Sequence, residues 1–169
     1  GITKDQAVFE YEAAGPWSYE QQDLGFNYRL TDLQAALGCS QLQRLSSVVA
    51  ERNRLRQRYV QLLQGLPVQL LEIPKNCVSA LHLAVILLRG DQPKVHRSVF
   101  EGLRAAGIVV QLHYTPVHLH PYYRRLGFST GDFPEAEAYS RSAISLPLYP
   151  GLLEAEQDRV VQTLKNLLN

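Results

Sequence analysis

Apolar positions give this chain a clear skeleton from residue 30 onward and little before it. Leu33, Leu37, Leu45, Val48, Val49, Leu55, Tyr59, Leu62 and Leu63 recur mostly at helical spacings of three, four and seven. Thr31-Asp32-Leu33-Gln34 ahead of them fits a capping box, the threonine hydroxyl accepting from the N–H three residues on and Gln34 reaching back. Gly65 and Pro67 stop the pattern. The spacing predicts one helix over 30–65, roughly 50 Å long at ~1.5 Å per residue. That length exceeds a single compact core, so part of it is expected to pack on a neighbour. Arg52, Arg54, Arg56 and Arg58 advance by about 200° per step and divide between two solvated faces.

Two apolar runs follow, 68–73 and 80–88, separated by Pro74-Lys75-Asn76. Both read as strands, the second denser and therefore more buried. Asp91 and Pro93 open a predicted helix lined by Val95, Val99, Leu103 and Ala106, with Gly107 as its C-cap. A third strand is predicted at 108–112, short helices at 121–126 and 134–142, a further strand at 144–148, and an amphipathic helix over 152–168. Residues 1–29 are rich in Tyr, Trp and Phe and broken by Gly15-Pro16 and Gly25, which reads as extended segments and turns. The expected architecture is α+β, a small, mostly antiparallel sheet covered by helices. It divides into an extended arm (1–29), one long helix (30–65) and a small α/β domain (66–169).

Composition narrows the partners. The 169 residues are 46% apolar and 20% charged, which excludes a disordered or low-complexity chain. Seventeen basic against sixteen acidic residues leave a charge of +1, so no nucleic acid is expected. The longest nearly apolar run falls far short of the ~18 residues of a bilayer span, and the opening Gly-Ile-Thr-Lys-Asp-Gln is too polar for a signal peptide. No membrane association is expected. Cys39 and Cys77 form neither a Cys-x-x-Cys pair nor a zinc spacing, which fits a reducing, cytoplasmic setting. The sequence contains no Met, so Gly1 does not read as a translated start.

Candidate chemistry concentrates in two places. His113, His118 and His120 crowd a proline-punctuated stretch. They read as metal ligands, as histidines bonded to backbone, or, with Tyr114, Tyr122 and Tyr123, as the lining of a small-molecule pocket. Asn27-Tyr28-Arg29 precedes the long helix, whose free N–H groups and dipole favour an anion that Arg29 would strengthen. The alternative is a turn at Asn27 and a surface arginine. Glycine-rich phosphate loops, a His-Glu-x-x-His helix and a Gly-x-Ser-x-Gly elbow are all missing.

Several separated motifs carry a resemblance. Gly25-Phe26-Asn27-Tyr28-Arg29-Leu30-Thr31-Asp32-Leu33-Gln34-Ala35-Ala36-Leu37-Gly38 comes first, followed by Gln41-Leu42. Then come His113-Tyr114-Thr115-Pro116-Val117-His118, Pro121-Tyr122-Tyr123, Gly131-Asp132-Phe133-Pro134-Glu135-Ala136-Glu137 and Ile144-Ser145-Leu146-Pro147-Leu148-Tyr149-Pro150. Together they resemble the C-terminal part of the nucleotide-sugar aminotransferases, the DegT-type family of fold-type I pyridoxal-phosphate enzymes. With Gly1-Ile2-Thr3-Lys4-Asp5, the nearest subgroup is the C4 transaminase of pseudaminic-acid synthesis, which acts on a UDP-linked 4-keto-6-deoxy-N-acetyl hexose. The resemblance implies amino transfer from glutamate to a UDP-4-keto sugar through pyridoxal phosphate.

The family's Schiff-base lysine, and the aspartate that pairs with the pyridine nitrogen, lie upstream of the position matching Gly1. None of Lys4, Lys75, Lys94 and Lys165 stands in that lysine motif. No residue here is therefore assigned as catalytic. The chain is expected to be part of a longer enzyme, inactive by itself and binding no cofactor alone. By the same resemblance Asn27 reaches across a homodimer to the partner's cofactor phosphate, and Arg29, His113, Tyr114 and His118 face the substrate. The long helix would pack on a large domain or dimer mate, and its exposed flank would drive self-association. Two other readings are a non-catalytic nucleotide-sugar-binding or dimerisation module, and a metal protein built on the histidine cluster.

Overall fold

The part of the chain from Leu45 onward is built on a three-stranded antiparallel sheet whose middle strand pairs on both sides. The chain, described by a computed structural model over residues 1–90 and 93–168, orders these strands β3 (Val68–Leu70), β4 (Ala84–Leu88) and β5 (Ala143–Leu146). Leu70 pairs with Ile86, and Ile86 with Ile144. Around the sheet lie α2 (Leu45–Leu62), α3 (Pro93–Ala105), α4 (Pro121–Arg124), α5 (Pro134–Ser142) and α6 (Glu154–Leu168). Leu55 and Tyr59 of α2, Val99 and Leu103 of α3, and Val160 and Leu164 of α6 form one core with Ile86 and Ile144. A Cβ on Gly102 would come within 2.5 Å of a Leu167 methyl, so the Leu167 side chain of α6 rests directly on the bare α-carbon of α3. The α+β expectation, a small antiparallel sheet covered by helices, is met.

Two polar side chains carried into this core are tied to backbone carbonyls. The Tyr59 hydroxyl donates to the Pro147 carbonyl at 3.1 Å, and burial pushes its pKa up. Gln157, fully buried on α6, donates from Nε2 to the Leu55 carbonyl at 3.0 Å. The arginines of α2 divide between faces as their spacing predicts. Arg54 and Arg58 meet Glu154 and Asp158 of α6, whereas Arg56 donates to the Leu71 carbonyl. Pairs this exposed contribute about 0–1 kcal/mol each, so burial and not charge holds the helices on the sheet.

Four elements differ markedly from the expectation. The helix predicted over 30–65 is two helices, α1 (Asp32–Gln43) and α2. Arg44 lies between them at φ −100°, ψ −3°, its N–H bonded to the Gln41 and Leu42 carbonyls rather than four residues back. No residue of α1 is buried, so tertiary packing supports only the second part of the apolar stripe. The chain accordingly divides into Gly1–Arg44 and Leu45–Asn169. The predicted third strand at 108–112 reduces to a single bridge, Gln111 to Ser145. Its inward residues Ile108 and Val110 are buried and Val109 is exposed, so the chain is extended but runs beside β5 for only one rung. The strands predicted at 68–73 and 80–88 shorten to β3 and β4. Asp91, read as a helix opener, lies outside the described residues.

Residues 1–29 pair only briefly, β1 (Ile2–Thr3) with β2 (Glu20–Gln21). The Glu20 carboxylate accepts the Glu10 and Tyr11 N–H groups at 2.8 and 3.0 Å, closing the intervening loop. No helix of the described residues is long and apolar enough to cross a membrane.

Candidate functional site

In the first unit, Asn27 sits at φ +60°, a left-handed conformation that asparagine tolerates better than most residues. The rings of Phe26 and Tyr28 stack across it at 5.4 Å, both exposed. The turn directs the chain into α1 through the predicted capping box. The Gln34 N–H donates to the Thr31 hydroxyl at 3.3 Å, and the Thr31 N–H to Gln34 Oε1 at 3.0 Å. Those two donors are thereby used, and Asp32 already places a carboxylate in the first turn. An anion here would be met by side chains more than by the helix end. A depression of about 790 Å³ is lined by Asn27, Arg29 and Lys4, with Asp23 on its wall.

In the second unit the three histidines of the 113–120 stretch part company. His113 is half-buried, its Nδ1 hydrogen-bonded to Ser145 Oγ at 2.9 Å. Tyr114 beside it is 72% exposed. His118 is buried, and its Nε2–H donates to Glu137 Oε1 at 2.9 Å. His120 is exposed. Among the described residues no three His, Cys, Asp or Glu side chains gather in a metal-ligating group, so the histidine-cluster reading finds no ligand set there.

Glu137 and Ser145 are the residues that sequence reasoning did not single out. Ser145 is the one polar side chain in an otherwise apolar β5, a signal present in the sequence. Glu137 is the one buried acid of α5, and no spacing rule distinguishes it from Glu135. Its Oε1 also accepts the Gly131 N–H at 2.7 Å, and Arg141 stands 4.0 Å from its other oxygen. The Gly131 N–H and the His118 ring hold this carboxyl below its ordinary value of 4.5. A carboxyl with a depressed folded-state pKa contributes stability above the unfolded-state value and loses it as pH falls through the folded one. We expect the wild-type advantage over Glu137→Gln in urea midpoints to be constant at neutral pH and to shrink below about pH 4.5. An advantage that persists unchanged at pH 3 would show that the carboxylate is not what stabilises the pair.

The family resemblance implies pyridoxal phosphate, and the residues meet that group in part. Asn27, Arg29 and Lys4 suit a phosphate. The reactive amine is a different matter, because all four lysines are exposed. None sits in an enclosed pocket of the kind that holds a Schiff-base amine against a cofactor.

A family model described as the DegT/DnrJ/EryC1/StrS aminotransferase family matches residues 4–165. SpsC of Bacillus subtilis, a spore coat polysaccharide biosynthesis protein, is 33% identical over 162 residues, 94% of this chain and 42% of SpsC. The structure of Spr1654 from Streptococcus pneumoniae, a candidate sugar aminotransferase, in its PMP form superposes with a TM-score of 0.87. It is 29% identical and covers 99% of this chain and 42% of Spr1654. PseC of Helicobacter pylori, an aminotransferase involved in the biosynthesis of pseudoaminic acid, gives 0.81 at 26% identity, covering 90% of this chain and 41% of PseC. The chain thus spans less than half the length of these relatives. With sequence motifs, fold and a match running from residue 4 to residue 165 in agreement, the chain belongs to the DegT/DnrJ/EryC1/StrS aminotransferase family.

Proposed function

We propose that this chain is the C-terminal portion of a pyridoxal-phosphate sugar-nucleotide aminotransferase, moving an amino group from glutamate to a UDP-linked 4-keto sugar. Family membership supports the reaction class. The observation that carries the assignment of residues is the depression where Asn27, Arg29 and Lys4 converge. When bound, the cofactor supplies the carbonyl and the electron sink for amino transfer. Within the chain, the Asn27 amide donates to the cofactor phosphate of a homodimer partner, and Arg29 pairs with a sugar or phosphate oxygen. His113 and Tyr114 face the sugar nucleotide. The finer assignment, a 4-keto-6-deoxy-N-acetyl hexose of pseudaminic-acid synthesis, rests on the motifs shared with that subgroup, and a cytoplasmic setting rests on the two unbridged cysteines. PseC is consistent with it.

The exposed lysines favour a division of labour in which another segment supplies the amine and this chain alone is a binding part. The apolar residues left exposed on and before α1 (Leu30, Leu33, Leu37 and Leu42) would be covered by that segment or by the dimer mate. The test is transfer of ¹⁵N from labelled glutamate to a UDP-4-keto-6-deoxy-N-acetylhexosamine. The label is expected in the sugar when a lysine-bearing aminotransferase segment is joined ahead of residue 1, and not with residues 1–169 alone. Label transferred by the 169 residues alone would overturn the division of labour. No transfer by the joined protein to any UDP-4-keto sugar would overturn the substrate class.

A further inference from the structure

The segment from His113 to His118 is fastened at both ends and open in the middle. At one end His113 Nδ1 meets Ser145 Oγ at 2.9 Å, and Ser145 is itself buried in β5. The Ser145 backbone exchanges hydrogen bonds with Gln111 at 2.8 and 3.4 Å, which fixes the chain just ahead of the histidine. At the other end the His118–Glu137 pair is buried on both sides, with each side chain 7% exposed. The Phe133 ring packs on the imidazole at 4.8 Å, and Gly131 donates to the same carboxylate oxygen. Between the ends, Tyr114 and Val117 are 72% and 60% exposed.

Burying an imidazole and a carboxylate is a poor way to gain stability alone, because desolvation offsets most of the attraction and apolar residues of similar volume do as well. What the pair adds is direction. One hydrogen bond, to a carboxylate that the Gly131 N–H also holds, and the packed Phe133 ring fix the imidazole's orientation, and with it the backbone from Pro116 to Leu119, whose own N–H···O bond closes at 2.9 Å.

We propose that Glu137 is a positioning residue: through His118 it sets the 113–118 segment so that Tyr114 and the Nε2 edge of His113 meet the ligand, while His118 itself does not touch it. The identity of that ligand rests on the sugar-nucleotide reading above. The positioning does not. Ser145 plays the matching part at the other end by orienting the His113 ring.

Amide hydrogen exchange on the full chain at neutral pH tests the positioning directly. Glu137→Gln is expected to speed exchange at 113–120 and 129–133 by about tenfold or more, with β3, β4, β5 and α6 unchanged. His118→Gln retains a side-chain N–H donor and is expected to keep most of the protection, whereas His118→Leu loses it. Acceleration spread evenly over 45–168, or none in Glu137→Gln, would overturn the proposal. A second arm follows the Tyr114 and His113 resonances during titration with UDP-N-acetylglucosamine. If they respond in wild type, the same response in His118→Gln supports the proposal, and loss of it with protection intact would show that His118 touches the ligand. If wild type does not respond, the ligand reading fails for the isolated chain, and the exchange result alone decides the positioning.

Discussion

Ile86→Ala is expected to lower the unfolding free energy of the 45–169 unit by about 2–5 kcal/mol. Ile86 is fully buried on the middle strand, between Leu70 and Ile144. Sheet partners hold the backbone on both sides, so the site cannot collapse around the deleted carbons and a cavity remains. A domain has about 5–15 kcal/mol of stability in all, so this one change removes a large share of it. Leu37→Ala is the contrast. Leu37 belongs to the same apolar stripe in the sequence but is 62% exposed on α1, and its loss should fall within about 0.5 kcal/mol. Urea unfolding of the two variants separates them. Equal losses would mean that α1 is packed as tightly as the sheet.

In the complete enzyme, Asn27→Gly is expected to weaken cofactor binding by roughly ten- to a hundred-and-fifty-fold, the loss of one hydrogen bond to a charged group at about 1.5–3 kcal/mol. Glycine is the informative replacement because it enters the φ +60° conformation without strain, so the turn into α1 survives while the amide is lost. Asn27→Asp also accepts that conformation but puts a negative charge against the phosphate, and should bind more weakly still. Asn27→Ala adds a backbone penalty and confounds the two effects. Cofactor titration followed by absorbance provides the comparison. Unchanged affinity in Asn27→Gly, with α1 intact, would reduce Asn27 to a turn residue.

The sequence makes the periodic parts of the fold readable and leaves tertiary choices hidden. The capping box at Thr31, the Val99 and Leu103 face of α3 and the amphipathic α6 follow from spacing and cap chemistry alone, and all three are present. The break at Arg44 does not follow, because the local pattern stays helical on both sides and only burial distinguishes α1 from α2. The strand expected at 108–112 has the right alternation, yet strand pairing is a long-range property and β5 provides only one rung.

The site is readable to a similar depth. Motifs point to Asn27, Arg29, His113, Tyr114 and His118; the first two line one depression, and the other three belong to one stretch of chain. The pairing of His118 with Glu137 is not legible from spacing, because the two lie 19 residues apart and meet only in the fold.

The central claim is that these residues form part of an aminotransferase whose reactive lysine is encoded ahead of them. Reading the native gene upstream of the Gly1 codon tests it most directly. An open frame that continues through a lysine-bearing aminotransferase segment is the predicted result. A start codon and ribosome-binding site immediately upstream would contradict it and make binding or assembly the leading role.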